Sequence, residues 1–170
     1  MKKFLLPLVF AALCGAAHAA DPAPKADPAT KTGETATDPW FTDYAKAQAQ
    51  SRKDKKPIVI FFTGSDWCGW CKKLDGQILS TDTFKTWATK NVVLMKADFP
   101  HKTKLPAAEA AQNEKLSNQY HIEGFPTILV VDSHGKLYGE SGYKDLTPDA
   151  YVKELDAMIA GKGRAVAKHK

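Results

Sequence analysis

"PIVIFFTGSDWCGWCKKL", residues 57–74, contains the two patterns that decide the fold. Residues 57–63 form a continuous apolar, β-branched and aromatic run, which is typical of a strand buried on both faces of a sheet. Cys68 and Cys71 follow after a short turn, and residues 72–79 have the pattern of a short helix. A buried strand that leads directly into a C-x-x-C helix predicts an α/β fold with Cys68 at the start of that helix.

A helix is also predicted before this strand. Asp38 suits the N-cap and Pro39 the first helical position, where the missing N–H of proline is no loss. We expect this helix to run to about residue 53. Its apolar face would consist of Trp40, Phe41 and Tyr44.

Strands and helices continue to alternate after residue 79. This alternation, ended by a hairpin, predicts a central mixed β-sheet flanked by helices in three layers. The predicted elements are a helix restarted by Ser80 and Asp82, a strand over 92–98, a helix over 105–120, a strand over 127–132 with a hairpin partner over 136–141, and a last helix capped by Thr147 and opened by Pro148.

The net positive charge of the chain comes from its two ends. The 170 residues carry 24 Lys and Arg against 19 Asp and Glu, and 44% of them are hydrophobic, enough for one domain with a core. Between residues 38 and 161, however, 16 basic side chains are balanced by 16 acidic ones. Such a neutral domain lacks the basic face that nucleic-acid binding requires, so no nucleic-acid partner is expected. Without a long apolar edge or a heptad pattern, a monomer is expected.

Residues 1–19 have the layout of a secretory signal peptide. A basic start is followed by an apolar stretch over 4–13, and small residues at Ala17 and Ala19 form a cleavage signal. The apolar stretch is too short to span a bilayer. We therefore expect cleavage near Ala19 or Ala20 and a periplasmic or secreted protein.

Cys14 within the leader raises the alternative of a lipoprotein. Lipoprotein leaders carry a small residue before the lipidated cysteine, whereas Leu13 precedes Cys14 here. Simple cleavage is therefore the favoured interpretation. The exported chain would then keep only Cys68 and Cys71 as cysteines.

Composition divides the remaining chain into three parts. Residues 20–37 are rich in Ala, Pro, Thr, Asp and Lys and lack large apolar side chains, so a disordered linker is predicted. Residues 38–160 form the predicted domain, and residues 161–170 form a basic flexible tail.

Two cysteines in C-x-x-C spacing can hold a metal, form a structural staple or exchange electrons. A structural zinc site needs four ligands, and no paired histidines complete a set with Cys68 and Cys71, so no metal is expected. A staple would close a loop too small to contribute much stability. Redox chemistry is favoured, because a helix N-terminus stabilises a thiolate at Cys68, and Cys71 lies one turn further in. From there Cys71 can attack a mixed disulfide formed at Cys68.

Two segments resemble the thioredoxin superfamily. "WCGWCKKL" at 67–74 is similar to its active-site helix, and "YHIEGFPTILVVD" at 120–132 is similar to the segment that carries its cis-proline. The resemblance covers about residues 38–160 and is greatest to the exported branch that includes thiol:disulfide interchange domains. It implies the thioredoxin fold, protein-disulfide oxidoreductase activity, and no cofactor besides the redox-active disulfide.

The resemblance also implies roles for particular residues. Cys68 corresponds to the nucleophile and Cys71 to the resolving thiol, and the Phe125–Pro126 bond is expected to be cis. In the family that loop gives backbone hydrogen bonds to an extended substrate peptide. The other candidate site residues are the active-site neighbours Trp67, Gly69 and Trp70, and the groove residues Phe125, Pro126 and Gly142. We expect Trp67 to be mainly structural and Trp70 to be exposed.

The sequence departs from the family in two places. Thioredoxins carry a buried acidic residue six positions before the first cysteine, whereas Phe62 occupies that position here. Asp66 lies in the loop beside the motif, where a solvated side chain is expected, and water would then serve the proton transfer to Cys71. The segment over 99–116 is longer than the family's usual connection, and either a rim that selects partners or a longer surface helix fits it, with the helix favoured.

The direction of electron flow depends on the reduction potential, which ranges from roughly −270 to −120 mV among thioredoxin-fold proteins. Gly69 and Trp70 lack both the proline of reducing cytosolic thioredoxins and the histidine of strong oxidants. A reductase or isomerase-type role toward exported proteins with disulfides is therefore favoured, with a membrane electron-transfer protein as the source of electrons. The alternatives are a thioredoxin-fold binding module without turnover and a protein that delivers Cu(I) on two thiolates.

Overall fold

The computed structural model describes residues 39–161. The predicted signal peptide, the linker and the basic tail beyond Gly161 lie outside the described residues. Between residues 39 and 161, none of the helices has the length and apolar character needed to cross a bilayer.

Five strands form one mixed sheet, as predicted. The spatial order is β1-β3-β2-β4-β5, in which β2 pairs in parallel with β3 and antiparallel with β4. β1 joins β3 in parallel, and β5 closes the other edge as an antiparallel hairpin with β4. The strands are β1 (Trp40–Phe41), β2 (Ile58–Thr63), β3 (Val93–Asp98), β4 (Thr127–Val131) and β5 (Leu137–Gly142).

Helices cover both faces of this sheet, so the predicted three layers are confirmed. The apolar cluster on one face includes both cysteines and side chains of α3 and α5, and the cluster on the other face includes side chains of α1 and α4. Every residue of β2 is buried, because this central strand lies between the two clusters. The helices are α1 (Tyr44–Asp54), α2 (Gly69–Leu74, continued by a π-helical turn over Asp75–Leu79), α3 (Asp82–Asn91), α4 (Ala107–Tyr120) and α5 (Pro148–Gly161).

The prediction for the first helix is wrong at its start. Asp43, not Asp38, is the N-cap, and its side chain accepts a hydrogen bond from the Lys46 N–H at 3.0 Å. Trp40 and Phe41 form strand β1 instead, packing against opposite core clusters. Successive side chains of a strand point to opposite faces of a sheet, whereas two neighbouring residues of a helix cannot reach both faces.

Two later helix starts can be compared with their predicted caps. Thr81, between the two predicted residues, caps α3 by accepting from the Phe84 N–H at 3.3 Å. Thr147 caps α5 by accepting from the Ala150 N–H at 3.3 Å, and Pro148 is the first helical residue, as predicted.

Candidate active site

The two cysteines lie at the junction of β2 and α2. Cys68 is the N-cap of α2, with extended backbone angles, and it forms a disulfide with Cys71 whose Cα atoms are 5.3 Å apart. The Cys71 N–H donates to the Cys68 Sγ at 3.1 Å. Cys68 is 5% exposed and Cys71 1% exposed, so Cys68 is the more accessible of the two. The same backbone N–H can stabilise a thiolate on Cys68 after reduction.

Trp67 is fixed by contacts on several sides. Its indole N–H donates to the Phe99 carbonyl at 2.8 Å, its ring stacks on His101 with 4.4 Å between centroids, and it meets the Phe125 ring edge-on at 5.9 Å. Gly64 makes this position possible, because a Cβ there would lie 2.3 Å from the indole ring. Trp67 nevertheless remains 41% exposed, so it combines a structural role with an accessible surface.

The loop before Cys68 is joined to the loop after β3 by two further side chains. Ser65 donates through its backbone N–H and its hydroxyl to the two carboxylate oxygens of Asp98, at 2.8 and 2.5 Å. The carboxylate of Asp66 accepts from the backbone N–H groups of His101, Lys102 and Thr103, at 2.9, 2.6 and 3.1 Å. These bonds, the His101 one foremost, hold the pKa of Asp66 below its ordinary value. The expectation that Asp66 is only solvated is therefore wrong.

The Phe125–Pro126 peptide bond is cis, as predicted. Gly142 lies directly beside it, because Gly142 pairs with Thr127 across the β4–β5 hairpin. A Cβ at Gly142 would lie 2.9 Å from the Pro126 carbonyl oxygen, so only glycine allows this approach without a backbone shift. The structure thus brings these two predicted groove residues into contact.

Trp70 is 57% exposed, which confirms the expectation for this side chain. Its ring packs at a tilt against Tyr143, with 4.9 Å between centroids. The ammonium of Lys73 lies over both rings, 5.1 Å from the Trp70 centroid and 4.9 Å from that of Tyr143. Contact with Tyr143 raises the pKa of Lys73. Gly69, by contrast, has open space where a Cβ would be.

The departure at Phe62 has a clear structural counterpart. Phe62 is fully buried, and no Asp or Glu between residues 39 and 161 is buried. Lys96 lies with its ammonium 5.7 Å from the Trp40 ring centroid. The carboxylate of Asp98 binds Ser65 and is turned toward the surface loop. A buried carboxylate for deprotonating Cys71 is thus absent from the described part of the chain.

A structural metal site at Cys68 and Cys71 would need further ligand side chains beside the two sulfurs. In the part of the chain from residue 39 to residue 161, no three His, Cys, Asp or Glu side chains are grouped as metal ligands. Cys68 and Cys71 themselves are joined in a disulfide.

Sequence reasoning missed several residues that shape the site. Gly64, Ser65, His101, Lys73 and Tyr143 were not singled out, and Asp66 was assigned no partner. The contacts of Ser65, Asp66, His101 and Tyr143 join positions 33 to 73 residues apart, so no local spacing reports them. Gly64 and Lys73 instead lie three positions from the tryptophans that they contact. The one available signal was the cluster of small and polar residues over 64–66, which is typical of a turn.

Comparison with known proteins agrees with this geometry. A family profile described as a thioredoxin-like domain matches residues 44–159. The disulfide bond reductase DsbH of Chlamydia pneumoniae is 38% identical over 119 residues, which cover 70% of this chain and 72% of that protein. The thioredoxin-related protein DsbJ of the same organism is 25% identical, and the match spans only 36% of its length. A solved structure of a DsbH oxidoreductase superposes with a TM-score of 0.68 at 34% identity, covering 79% of this chain and 94% of that one.

Proposed function

Because this chain belongs to the thioredoxin-like family, we propose that it is a thiol:disulfide oxidoreductase that reduces disulfides of exported proteins through Cys68 and Cys71. The observation that carries the proposal is the Cys68–Cys71 disulfide at the start of α2. Its relative DsbH is named a disulfide bond reductase, which supports the reducing direction.

The chemistry consists of two exchange steps. In the reduced protein, the Cys68 thiolate attacks one sulfur of a substrate disulfide, forming a mixed disulfide and releasing a substrate thiolate that takes up a proton. Cys71 then loses its proton and attacks the Cys68 Sγ. The Cys68–Cys71 bond forms, and the second substrate sulfur leaves as a thiolate that is protonated in turn. The substrate gains two electrons and two protons. The protein supplies both electrons and the proton of Cys71, and the solvent, which took up the proton of Cys68 when its thiolate formed, supplies the other.

The surroundings of the two sulfurs fit these two roles. The Cys71 N–H, which donates to the Cys68 Sγ, favours the anionic form of the attacking sulfur. Cys71 is nearly inaccessible, so it can reach a partner only after that partner is bound to Cys68. Since no described carboxylate is buried, water or the leaving thiolate accepts the proton of Cys71.

The proposed location is the periplasm or the extracellular space. The predicted signal peptide over 1–19 supports export, with cleavage near Ala19 or Ala20. The predicted linker over 20–37 would then be the N-terminal segment of the exported protein, which acts as a monomer. A membrane electron-transfer protein would return electrons to the oxidised disulfide, and Gly69 and Trp70 would keep its potential away from the oxidising extreme.

The reducing direction can be tested by equilibrating the protein with glutathione buffers. We expect a potential in the lower half of the range from roughly −270 to −120 mV. A value near the oxidising end would contradict a reductase.

Insulin reduction by the wild type and by Cys68→Ser gives the second test. Equal rates would exclude turnover at Cys68 and leave a binding module, and tight one-to-one Cu(I) binding without insulin reduction would support copper delivery.

A further inference from the structure

One carboxylate ties the turn over residues 64–68, which we call the cysteine turn, to the end of β3. Asp98 accepts from the Ser65 backbone N–H at 2.8 Å on one oxygen and from the Ser65 hydroxyl at 2.5 Å on the other. Asp98 is the last residue of β3 and pairs with Thr63, the last residue of β2, so it lies level with the start of the cysteine turn. Both carboxylate oxygens therefore hold this turn.

The cysteine turn transmits this hold to Cys68. The Cys68 backbone N–H donates to the Gly64 carbonyl at 2.8 Å, and the Trp67 backbone N–H donates to the same carbonyl at 3.2 Å. The turn is thus closed by its own hydrogen bonds, and Ser65 lies inside the closed segment. A side chain that fixes Ser65 consequently fixes Cys68 relative to the sheet.

A buried amide on α4 holds Asp98 in its turn. Asn113 is fully buried and donates through its side chain to the Asp98 backbone carbonyl at 2.9 Å. The Asn113 side-chain oxygen accepts from Gln112, whose side chain also binds backbone groups of Thr42 and Tyr44. A buried polar network whose members are all satisfied is rigid. The carboxylate is therefore held in place from α4 and from the start of α1.

The second cysteine is fixed by packing. Cys71 lies in the first turn of α2, is almost fully buried, and belongs to the same apolar cluster as Leu74 and Phe84. When the disulfide is reduced, its two sulfurs are no longer bonded and must move apart. Because Cys71 is enclosed by the core, this movement falls to Cys68 and the cysteine turn. The two hydrogen bonds from Ser65 to Asp98 oppose the movement.

Opposing this movement affects the two redox states unequally. Two reacting groups that are held in bonding geometry have a high effective concentration, which favours the bonded state. The hold on the cysteine turn therefore stabilises the disulfide relative to the dithiol. Reduction by two glutathione thiols, which yields the protein dithiol and one glutathione disulfide, becomes less favourable. A protein with such a disulfide has a low reduction potential and is a better reductant.

We propose that Asp98 is a positioning residue that keeps the Cys68–Cys71 couple reducing, because it holds the cysteine turn through Ser65. It acts through the turn and not on the sulfurs. This inference rests on the proposed function for its direction, in which the protein gives electrons to a substrate. It assigns part of the control of the potential to a side chain on β3, outside the C-x-x-C motif.

The test measures the equilibrium of the full-length protein with glutathione. Asp98→Ala removes both acceptors, and we expect the equilibrium constant for reduction of the disulfide to rise about tenfold, which corresponds to roughly 30 mV toward the oxidising side. Ser65→Ala removes one of the two hydrogen bonds and should give a smaller rise. A side chain that only stabilises the fold contributes equally to both redox states, so its loss leaves this constant unchanged. An unchanged constant in both variants would overturn the proposal.

Asp98→Asn separates position from charge. Asparagine can accept from the Ser65 N–H through its oxygen and donate to the Ser65 hydroxyl through its amide group, so both contacts remain and the constant should stay close to that of the wild type. A rise equal to that of Asp98→Ala would show that the negative charge acts on the Cys68 thiolate, and it would overturn the positioning role.

Asp54→Ala is the matched control for the loss of one negative charge. Asp54 is exposed at the end of α1, ahead of β2, whereas the cysteine turn follows β2. We expect its constant to equal that of the wild type. A rise as large as that of Asp98→Ala would attribute the effect to net charge and would contradict a specific role of Asp98.

The absolute constant and its changes answer separate questions. A wild-type potential near the oxidising end contradicts a reductase, but a rise in Asp98→Ala would still support the hold on the cysteine turn. A reducing wild type with unchanged variants leaves the proposed function intact and overturns the role of Asp98. Amide hydrogen exchange gives a direct readout of the hold. The Ser65 and Cys68 amides of the reduced protein should exchange faster in Asp98→Ala, and unchanged exchange at Cys68 would contradict transmission through the turn.

Discussion

The two tryptophans of the cysteine motif contact different parts of the fold and are held in different ways. On the Trp67 side, the indole N–H donates to the Phe99 carbonyl and the ring stacks on His101. On the Trp70 side, the ring has only Tyr143 and the Lys73 ammonium as partners. Among the described residues, the Trp70 indole N–H has no hydrogen-bond acceptor. Trp67 is thus fixed by a hydrogen bond and by ring stacking, whereas Trp70 offers an exposed ring held by one ring contact and one cation–π contact.

The exposed fraction of the two tryptophans does not explain how firmly each is held. Trp67 is 41% exposed and Trp70 is 57% exposed, so accessibility alone hardly distinguishes them. A hydrogen bond distinguishes them, since the Trp67 indole N–H is fixed on the Phe99 carbonyl of the loop after β3. The Trp70 side is joined to the domain through a tilted ring contact and a cation–π contact, each of which is worth about 1 kcal/mol. We expect changes on the two sides to have separate consequences.

The largest effect is expected at the two sulfurs, which carry the exchange chemistry. Cys68→Ser and Cys71→Ser both remove the disulfide, so the loss of the disulfide itself does not explain a difference between them. We expect Cys68→Ser to reduce insulin at the uncatalysed rate, and Cys71→Ser to accumulate mixed disulfides with its partners. Non-reducing gels and mass spectrometry detect these adducts. Adducts on Cys68→Ser instead would reverse the assignment of nucleophile and resolving thiol.

The next effect separates the two tryptophans directly. Trp67→Ala should lower the free energy of unfolding by about 2 kcal/mol, below the 3–5 kcal/mol of a fully buried aromatic because part of the ring is exposed. Trp70→Ala should lower it by less than about 1 kcal/mol, since it loses two exposed contacts. Urea denaturation of the reduced proteins measures both. Equal losses would show that the hydrogen bond and stacking of Trp67 add nothing to its support.

A smaller effect is expected when the space under Trp67 is filled. A Cβ at Gly64 would overlap the indole ring, so Gly64→Ala must displace Trp67 and should cost about 1–2 kcal/mol. Gly69→Ala is the matched control, because its Cβ would meet nothing and its stability should be nearly unchanged. The indole N–H resonance of Trp67 in an NMR spectrum should shift only in Gly64→Ala. An unshifted resonance there would mean that the ring position does not depend on glycine.

The smallest effect is a pH dependence confined to the Trp67 side. The pKa of Asp66 is lowered in the folded state, so its carboxylate stabilises the fold above its ordinary value of 3.8. This contribution is lost as the pH falls through the lowered pKa. The difference in urea midpoint between the wild type and Asp66→Asn should therefore shrink on acidification below about pH 4. A difference that stays constant from pH 7 to pH 2.5 would contradict a role of the charged carboxylate.

Sequence reasoning succeeded where the determinants are local and failed where they are distant. The continuous apolar run over 57–63 predicted β2, and Thr147 with Pro148 predicted the start of α5, because periodicity and capping involve neighbouring residues. Strand β1 was missed, since two residues are too few to have a period. The cis bond before Pro126 was expected only through resemblance to the family, as nothing in the Phe-Pro pair itself requires it.

The chemistry of the site was predictable from the sequence, but the side-chain contacts around the two cysteines were not. Cys68 and Cys71 were identified by spacing and by the strand that precedes them. The three bonds of Asp66 join positions 35 to 37 residues apart, and the Trp70–Tyr143 contact joins positions 73 residues apart. Side-chain pairs of this kind depend on the tertiary fold, so a single sequence gives no period or motif that reports them.

The way Asp66 holds the neighbouring loop has a consequence for how this protein can evolve. Its carboxylate binds the main chain at Lys102 and Thr103, so this anchoring does not depend on which side chains those positions carry. Mutations at these two positions can therefore accumulate without loosening the scaffold or altering the cysteines. Homologues could therefore come to differ in their substrates through substitutions at Lys102 and Thr103, while the disulfide exchange at Cys68 and Cys71 stays the same.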